Sequence, residues 1–237
     1  MMANGVVVER YEGTPQGGPL SPLLANVLLD EVDKELEARG LCFARYADDC
    51  NVYVGSKRAG EDVLAMLRKQ YERLHLKLNE SKSAVARPQE RKYLGYSFWY
   101  GPKSEVWRKV APKALEKLKE QVRAITTRNG GRSVAAVIAE LRSYLNGWKA
   151  YFRLAQTPGV LAELDSWIRR KLRVLQLKQW KRGTTAYREL RKLGAGEDVA
   201  ARVAANLRRW WRTSGLLINT VLNSRFYDRQ GLPRLSC

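Results

Sequence analysis

Apolar positions along the chain follow two periods, a strand period near the start and a helical period over most of the remainder. Residues 5–11, Gly-Val-Val-Val-Glu-Arg-Tyr, read as a strand that begins almost as soon as the chain does. A rigid turn rich in Gly and Pro follows over residues 14–22. Ser21 is placed there as an N-cap, with Pro22 at the first helical position. Leu23, Leu24, Val27, Leu28, Val32 and Leu36 then supply one apolar face of a helix. Asp30, Glu31, Asp33, Glu35 and Glu37 fall on its solvated side, and Gly40 ends it. Residues 41–54 hold two β-favouring runs around adjacent aspartates, which predicts a hairpin with Asp48 and Asp49 at its tip.

Helical spacing returns at Leu64, Leu67, Tyr71 and Leu74, followed by a short strand at residues 76–78. A further strand over residues 91–99 contains Gly95, whose missing Cβ would admit a ligand or another backbone. Beyond it the pattern is helical. Pro112 opens a helix carrying Leu115, Leu118, Val122 and Ile125. Ser133 caps a second, with Val134, Val137, Ile138, Leu141, Tyr144, Leu145 and Trp148, and Pro158 begins a third that runs through Leu175. Three stripes of this length predict a small bundle. Shorter helices are expected around Tyr187 and Leu190 and through Val199, Val203 and Leu207, while residues 216–233 show few helix signals and should pack back on the bundle. The fold class is therefore α+β.

Charge divides the chain in two. Residues 1–100 carry 14 Lys and Arg against 14 Asp and Glu, whereas residues 101–237 carry 29 against 10, so the net charge of +19 belongs to the second part. A domain boundary is placed accordingly, with domains at 1–100 and 101–237. A basic body of this kind points to a polyanion. Three scattered cysteines and a single histidine give neither a disulfide framework nor a structural zinc site. No stretch has transmembrane length and no leader pattern is visible, so a cytoplasmic location is expected.

Adjacent carboxylates repel unless a cation lies between them, and a polynucleotide polymerase needs such a pair to hold divalent metals against a primer hydroxyl and a triphosphate. An exposed Asp-Asp turn is the plainer alternative, and the surrounding residues decide between them. Gln16 can donate and accept near a base or sugar, with Gly17 and Gly18 permitting close approach of backbone to a ligand. Lys82 is either a solvated lysine or a group near a leaving pyrophosphate. Arg169, Arg170, Lys171 and Arg173, then Lys178, Trp180, Lys181 and Arg182, and finally Arg208 and Arg209, interleave cations with aromatics. Trp180 can stack on a base or anchor the core.

Residues 14–26, Thr-Pro-Gln-Gly-Gly-Pro-Leu-Ser-Pro-Leu-Leu-Ala-Asn, taken with Arg45-Tyr46-Ala47-Asp48-Asp49, Lys82 and Lys92-Tyr93-Leu94-Gly95-Tyr96, resemble the palm of a reverse transcriptase encoded by a bacterial group II intron. The later basic helices and the ending Gly231-Leu232-Pro233-Arg234-Leu235-Ser236 resemble that family's thumb and maturase domain. The resemblance implies an RNA-directed DNA polymerase that also assists intron splicing by stabilising folded RNA. Asp48 and Asp49 would be ligands of a two-magnesium site. Gln16, Gly17, Gly18, Tyr46, Ala47, Lys92 and Gly95 would line the nucleotide and template-primer pocket, and Lys82 would serve the pyrophosphate. The basic residues named above would hold RNA. Partners implied are group II intron RNA, template RNA and a DNA primer, with an upstream reverse-transcriptase fragment or a second copy of the chain as a further possibility.

The family also has a third aspartate and a fingers region, both expected before residue 1, so the chain is read as truncated before the fingers and first palm strand. Glu9 and Glu12 are not assigned the missing ligand's role. Polymerisation by the isolated chain is therefore expected to be weak or absent. The alternatives are a non-catalytic RNA-binding maturase-like fragment that promotes intron folding, or an inactive remnant.

Overall fold

The computed structural model describes residues 2–3, 6–7, 18–101, 105–127, 131–215 and 217–236. The expected strand over residues 5–11 and the Gln16–Gly17 part of the first turn fall largely outside them. Met2–Ala3 (β1) and Val6–Val7 (β2) form a short antiparallel pair. No helix among the described residues is long and apolar enough to cross a membrane.

The chain divides into two units, Met1–Arg87 and Pro88–Cys237. In the first, helix α1 spans Ser21–Ala38, β3 Cys42–Tyr46, β4 Asp49–Tyr53 and helix α2 Lys57–Arg73. Pro22 sits in the first turn of α1 as expected, but the cap position is Leu20 rather than Ser21. Only the C-terminal half of α1 is covered. Val32 and Leu36 are buried with Met66 and Leu67 of α2, and Phe43, Cys50 and Val52 of the hairpin pack against them. Leu23, Leu24 and Val27, assigned above to the apolar face, are exposed. Residues 76–78 form no strand, and among the described residues β3 and β4 pair only with each other.

In the second unit, strands β5 (Lys92–Tyr93), β6 (Tyr96–Tyr100) and β7 (Val106–Val110) form an antiparallel sheet in that order. The division at Arg87 precedes the composition shift at residue 101 because this sheet is tied to the helices that follow it. Tyr96 donates its hydroxyl to the Tyr151 carbonyl at 2.7 Å, and Tyr151 returns a bond to the Leu94 carbonyl at 3.1 Å. Gln156 and Arg108 exchange bonds through the Gln156 amide N–H and side-chain oxygen, at 2.7 and 3.0 Å.

Helices α3 (Pro112–Ile125), α4 (Val134–Tyr151) and α5 (Pro158–Trp180) bury the apolar stripes read from the sequence. Ser133 caps α4 by accepting the Ala136 N–H at 3.2 Å. Helices α6 (Gly183–Lys192) and α7 (Glu197–Ala205) form a hairpin that adds Ala186, Leu190, Ala200 and Val203 to the same core. The C-terminal region contains three short helices, α8 (Trp210–Ser214), α9 (Ile218–Val221) and α10 (Ser224–Arg229). The last two were not visible as helix signals because four to six residues are too few to repeat an apolar stripe. Asn223 starts α10 by accepting the Phe226 N–H at 3.0 Å.

Helix α5 holds this irregular region with side chains that read as basic surface. Arg173 is buried and donates to the Ser214 carbonyl at 2.6 Å, the Leu222 carbonyl at 3.2 Å and Asn219 Oδ1 at 2.9 Å. Burial among these groups pulls its pKa below the usual guanidinium value. Arg169, only 3% exposed, pairs with Asp165 one turn earlier and with Asp228 of α10 at 2.9 Å. Asp165 in turn accepts the N–H groups of Leu235 and Ser236 and the Ser236 hydroxyl.

Gly231 completes this arrangement at φ +84°. A Cβ there would occupy the space of the Arg142 guanidinium, which donates to the carbonyls of Gln230 and Gly231. Gly231→Ala is expected to lower stability by about 1–3 kcal/mol, read as the shift in a urea midpoint. Asp228 gives a second expectation. Hydrogen bonding from Arg234, with a further contribution from Arg169, holds its carboxyl below the usual range. The pairing therefore stabilises the fold fully above the unfolded value of about 3.9 and is lost as pH falls through the lower folded value. Asp228→Asn should reduce stability at neutral pH and flatten its decline below about pH 4; an unchanged acid limb in thermal melts would contradict this.

Candidate functional site

The β3–β4 register opposes Tyr46 to Asp49 and leaves Ala47 and Asp48 as the two-residue turn. Asp48 is thus at the hairpin tip and Asp49 begins β4, both exposed, beside a Tyr46 ring that is 64% exposed. Strand alternation separates the faces. Phe43, Cys50 and Val52 lie against the α1–α2 core. Tyr46 and Asp49, one residue out of phase with them, share the opposite face with Tyr53.

Ala47 adopts φ +54°, a conformation that costs an L-residue about 1–2 kcal/mol. Arg45 helps hold it there. Its guanidinium reaches Asp33 of α1 through bonds of 2.8, 2.9 and 2.6 Å, Asn26 Oδ1 at 2.9 Å and the Ala47 carbonyl at 3.2 Å. The hydrogen bonds to Asp33 keep the guanidinium above its ordinary pKa, so its charge is permanent. Asp33 belongs to this buried-side brace rather than to the solvated side assigned to it above. Asn26, Asp33 and Arg45 were not singled out as site residues, although the seven-residue spacing of Asn26 and Asp33 puts them on one helix face. Cys50, opposite Arg45, is pushed up to about 11, first by burial and then by the Asp33 charge. It remains a thiol at neutral pH, packed beneath the turn.

Two neighbouring carboxylates open to solvent are hard oxygen donors of the kind magnesium takes, usually alongside waters and phosphate oxygens. Asp48 and Asp49 fit that part of a metal site. Among the described residues no group of three or more His, Cys, Asp and Glu side chains comes together to hold an ion. Lys82 lies in the same unit, exposed, in a turn where its N–H donates to the carbonyl and Oδ1 of Asn79. Arg68 of α2 fixes this turn through a two-pronged pair with Glu80, at 2.9 and 2.7 Å. Gly18 accepts the Ser21 N–H at 3.1 Å at the entry to α1, while Gln16 and Gly17 lie outside the described residues.

Gly95 and Lys92 belong to the second unit. The close approach expected of a ligand at Gly95 is taken up by Phe152, 3.1 Å from where a Cβ would stand, and Gly95 itself turns at φ +78°. Gly95 forms a tight β5–β6 turn packed on α4. Lys92 is exposed on β5 opposite Ser97.

The basic residues separate into two groups. Arg169 and Arg173 are spent inside the fold, as described, and Trp180 is 8% exposed in the bundle core. Arg169 and Arg173 make their hydrogen bonds to oxygens within the fold, and burial keeps these three side chains away from the surface at which RNA contact was expected of them. Arg170 stacks over Trp211 at 4.0 Å and donates to its carbonyl at 2.9 Å, remaining half-buried. Lys171 and Lys178 are also half-buried, each over a tryptophan ring. Lys181, Arg182, Arg208 and Arg209 are exposed. Trp210 and Trp211 stand against cations, as do Trp167 and Trp99, whereas Trp180 lies in the core. Arg208 and Arg209 before both tryptophans and Arg212 after them were the available signal.

Comparison with protein families assigns both units. Residues 3–98 match the family described as reverse transcriptase (RNA-dependent DNA polymerase), and residues 115–194 match the group II intron, maturase-specific domain. No curated protein matches the chain. The carboxylate hairpin lies within the first matched segment and helices α4, α5 and α6 within the second. Together the two matches, in this order on one polypeptide, make the chain a member of the group II intron reverse transcriptase/maturase family.

Proposed function

We propose that the two units carry different parts of the family's work, the Asp48–Asp49 hairpin contributing to nucleotide addition and the exposed cations of the helical unit holding group II intron RNA. The observation that carries the first part is the braced turn. Two carboxylates project at a position that Arg45, Asp33 and Asn26 keep from relaxing. Magnesium held there would neutralise charge on the triphosphate and lower the pKa of the primer 3′-hydroxyl. The protein's share is geometric and electrostatic. Asp48 and Asp49 would hold the cations, Tyr46 would flank the incoming nucleotide on the same face of the hairpin as Asp49, and Lys82 would face the departing pyrophosphate.

The second part rests on charge and exposure. Arginines turned inward by α5 bond within the fold, whereas Lys181, Arg182, Arg208 and Arg209, also expected to contact RNA, are exposed. RNA binding is then the activity the isolated polypeptide performs by itself, with primer extension weak. Among the described residues no third carboxylate joins Asp48 and Asp49, and loss of one charge-stabilising group typically costs 100-fold or more, about 3 kcal/mol, in rate.

Primer extension on an RNA template with magnesium and labelled deoxynucleotides, with Asp49→Ala as the blank, tests the division. Little or no product above the blank is expected, and vigorous synthesis abolished by Asp49→Ala would overturn it. The RNA-binding part makes a paired prediction. Arg208→Ala should weaken RNA binding, reduce the salt slope by about one and leave the melting temperature nearly unchanged. Arg173→Ala should instead lower stability by about 3 kcal/mol or more through the carbonyls it strands, with a native RNA affinity in the fraction that stays folded. Equal loss of affinity in both folded variants would contradict the separation of inward from outward arginines.

A further inference from the structure

Helices α3, α5 and α8 enclose a cleft of about 130 Å³ lined by Thr126, Lys171, Leu175, Lys178, Trp210 and Trp211. Its size is decisive. Water occupies about 30 Å³ in the liquid, so the space equals roughly four waters. It lies well below the roughly 300–1,000 Å³ of pockets that enclose a drug-sized ligand or cofactor. One planar ring or one phosphate fits.

The lining is cationic and aromatic together. The Lys178 ammonium sits 4.3 Å from the centre of the Trp210 ring and is shielded from solvent. Lys171 lies 5.6 Å from Trp211 and 5.7 Å from Trp167, and Arg170 closes on Trp211 from the same helix. Thr126 donates its hydroxyl to the Val122 carbonyl at 2.7 Å, so the ammonium groups supply the polar character of the cleft. Residues 166–188 and 199–227, which carry the α5 and α8 linings, contain no Asp or Glu. Trp211 nevertheless stays 47% exposed at the rim.

A ligand matched to this cleft is an anion that also carries a flat ring. Paired RNA offers phosphates, 2′-hydroxyls and base edges to a protein surface but no base faces, which are stacked inside the helix. An unpaired nucleotide offers phosphate and base face together. We propose that the cleft seats the base of one unpaired nucleotide of the bound RNA. The base packs against the Trp210–Trp211 pair, with Lys178 at the floor donating to base acceptors and Lys171 nearer the opening reaching the adjoining phosphate. This rests on reading the helical unit as an RNA surface, and adds to it the feature of the RNA that is recognised.

The test uses the whole chain, titrated at physiological salt with a fluorescein-labelled oligoadenylate and with the same strand annealed to oligouridylate. Trp211→Ala should bind the single strand about tenfold more weakly, a loss within the range for one base–aromatic stack, and should bind the duplex as the native chain does. Trp211→Phe should recover most of the loss, while Trp211→Leu, which fills space without an aromatic face, should not. Circular dichroism establishes that each variant is folded. Arg208→Ala serves as the contrast, weakening single strand and duplex alike. Single-strand binding that is unchanged in Trp211→Ala, or reduced equally for duplex, overturns the cleft proposal and leaves the RNA surface standing. Failure of the native chain to bind either RNA overturns both. Adenosine monophosphate that binds as tightly as the oligonucleotide, with the same sensitivity to Trp211→Ala, would make this a mononucleotide site and refute the assignment to RNA.

Discussion

Helix α5 supplies the hydrogen bonds on which the C-terminal part of the helical unit depends. Backbone that leaves regular structure must still satisfy its N–H and C=O groups when buried. Between Thr213 and Ser236 the chain changes direction repeatedly through short helices, leaving carbonyls at Ser214 and Leu222 and N–H groups at Leu235 and Ser236 that need partners. Arg173 takes the carbonyls and Asp165 takes the N–H groups. Arg169 links Asp165 to Asp228, so the charges that do this work also neutralise one another. Taking ions out of water is costly, and such a network persists because nearly every donor and acceptor in it is used.

The same device appears on a smaller scale in the other unit. A two-residue turn with alanine at positive φ would gain by relaxing, and the Arg45 bonds to Asp33, Asn26 and the Ala47 carbonyl oppose that. The brace joins the turn to a helix rather than to the neighbouring strand alone. Position at the hairpin tip is therefore set by α1, which is itself anchored through Val32 and Leu36 against α2. A local motif of carboxylates obtains its geometry from packing several residues away.

Inward use of some arginines also shapes the surface that remains. The net charge of +19 overstates the cations available to a polyanion, because part of it lies at contacts between α5 and the C-terminal segments. What stays outside is spread over several helices and includes Lys181 and Arg182 after α5 and Arg208 and Arg209 before α8, with two tryptophans beside the latter. Phosphate binding needs exposed cations, and recognition of a base needs an accessible aromatic face. Both are adjacent at α8.

Much of this was legible in the residues. Periodicity located the hairpin and the three long helices, and the motif around Asp48 and Asp49, with its companions, carried the family. Single residues were harder to place. Arg169, Arg173 and Trp180 sit in a run whose letters do not distinguish exposed from buried, since a twenty-three-residue helix packed against several others buries more than its apolar stripe. Gly95 announced close approach without naming Phe152 as what approaches. Leu23, Leu24 and Val27 formed an apolar stripe whose exposure only the packing reveals. The sequence by itself determined element types, family and the sign of the charge, because these follow from local pattern and composition. Which arginines face inward, what braces the carboxylate turn and which tryptophans meet the cations were decided by tertiary structure, because each depends on groups distant in sequence competing for the same buried space and the same hydrogen bonds.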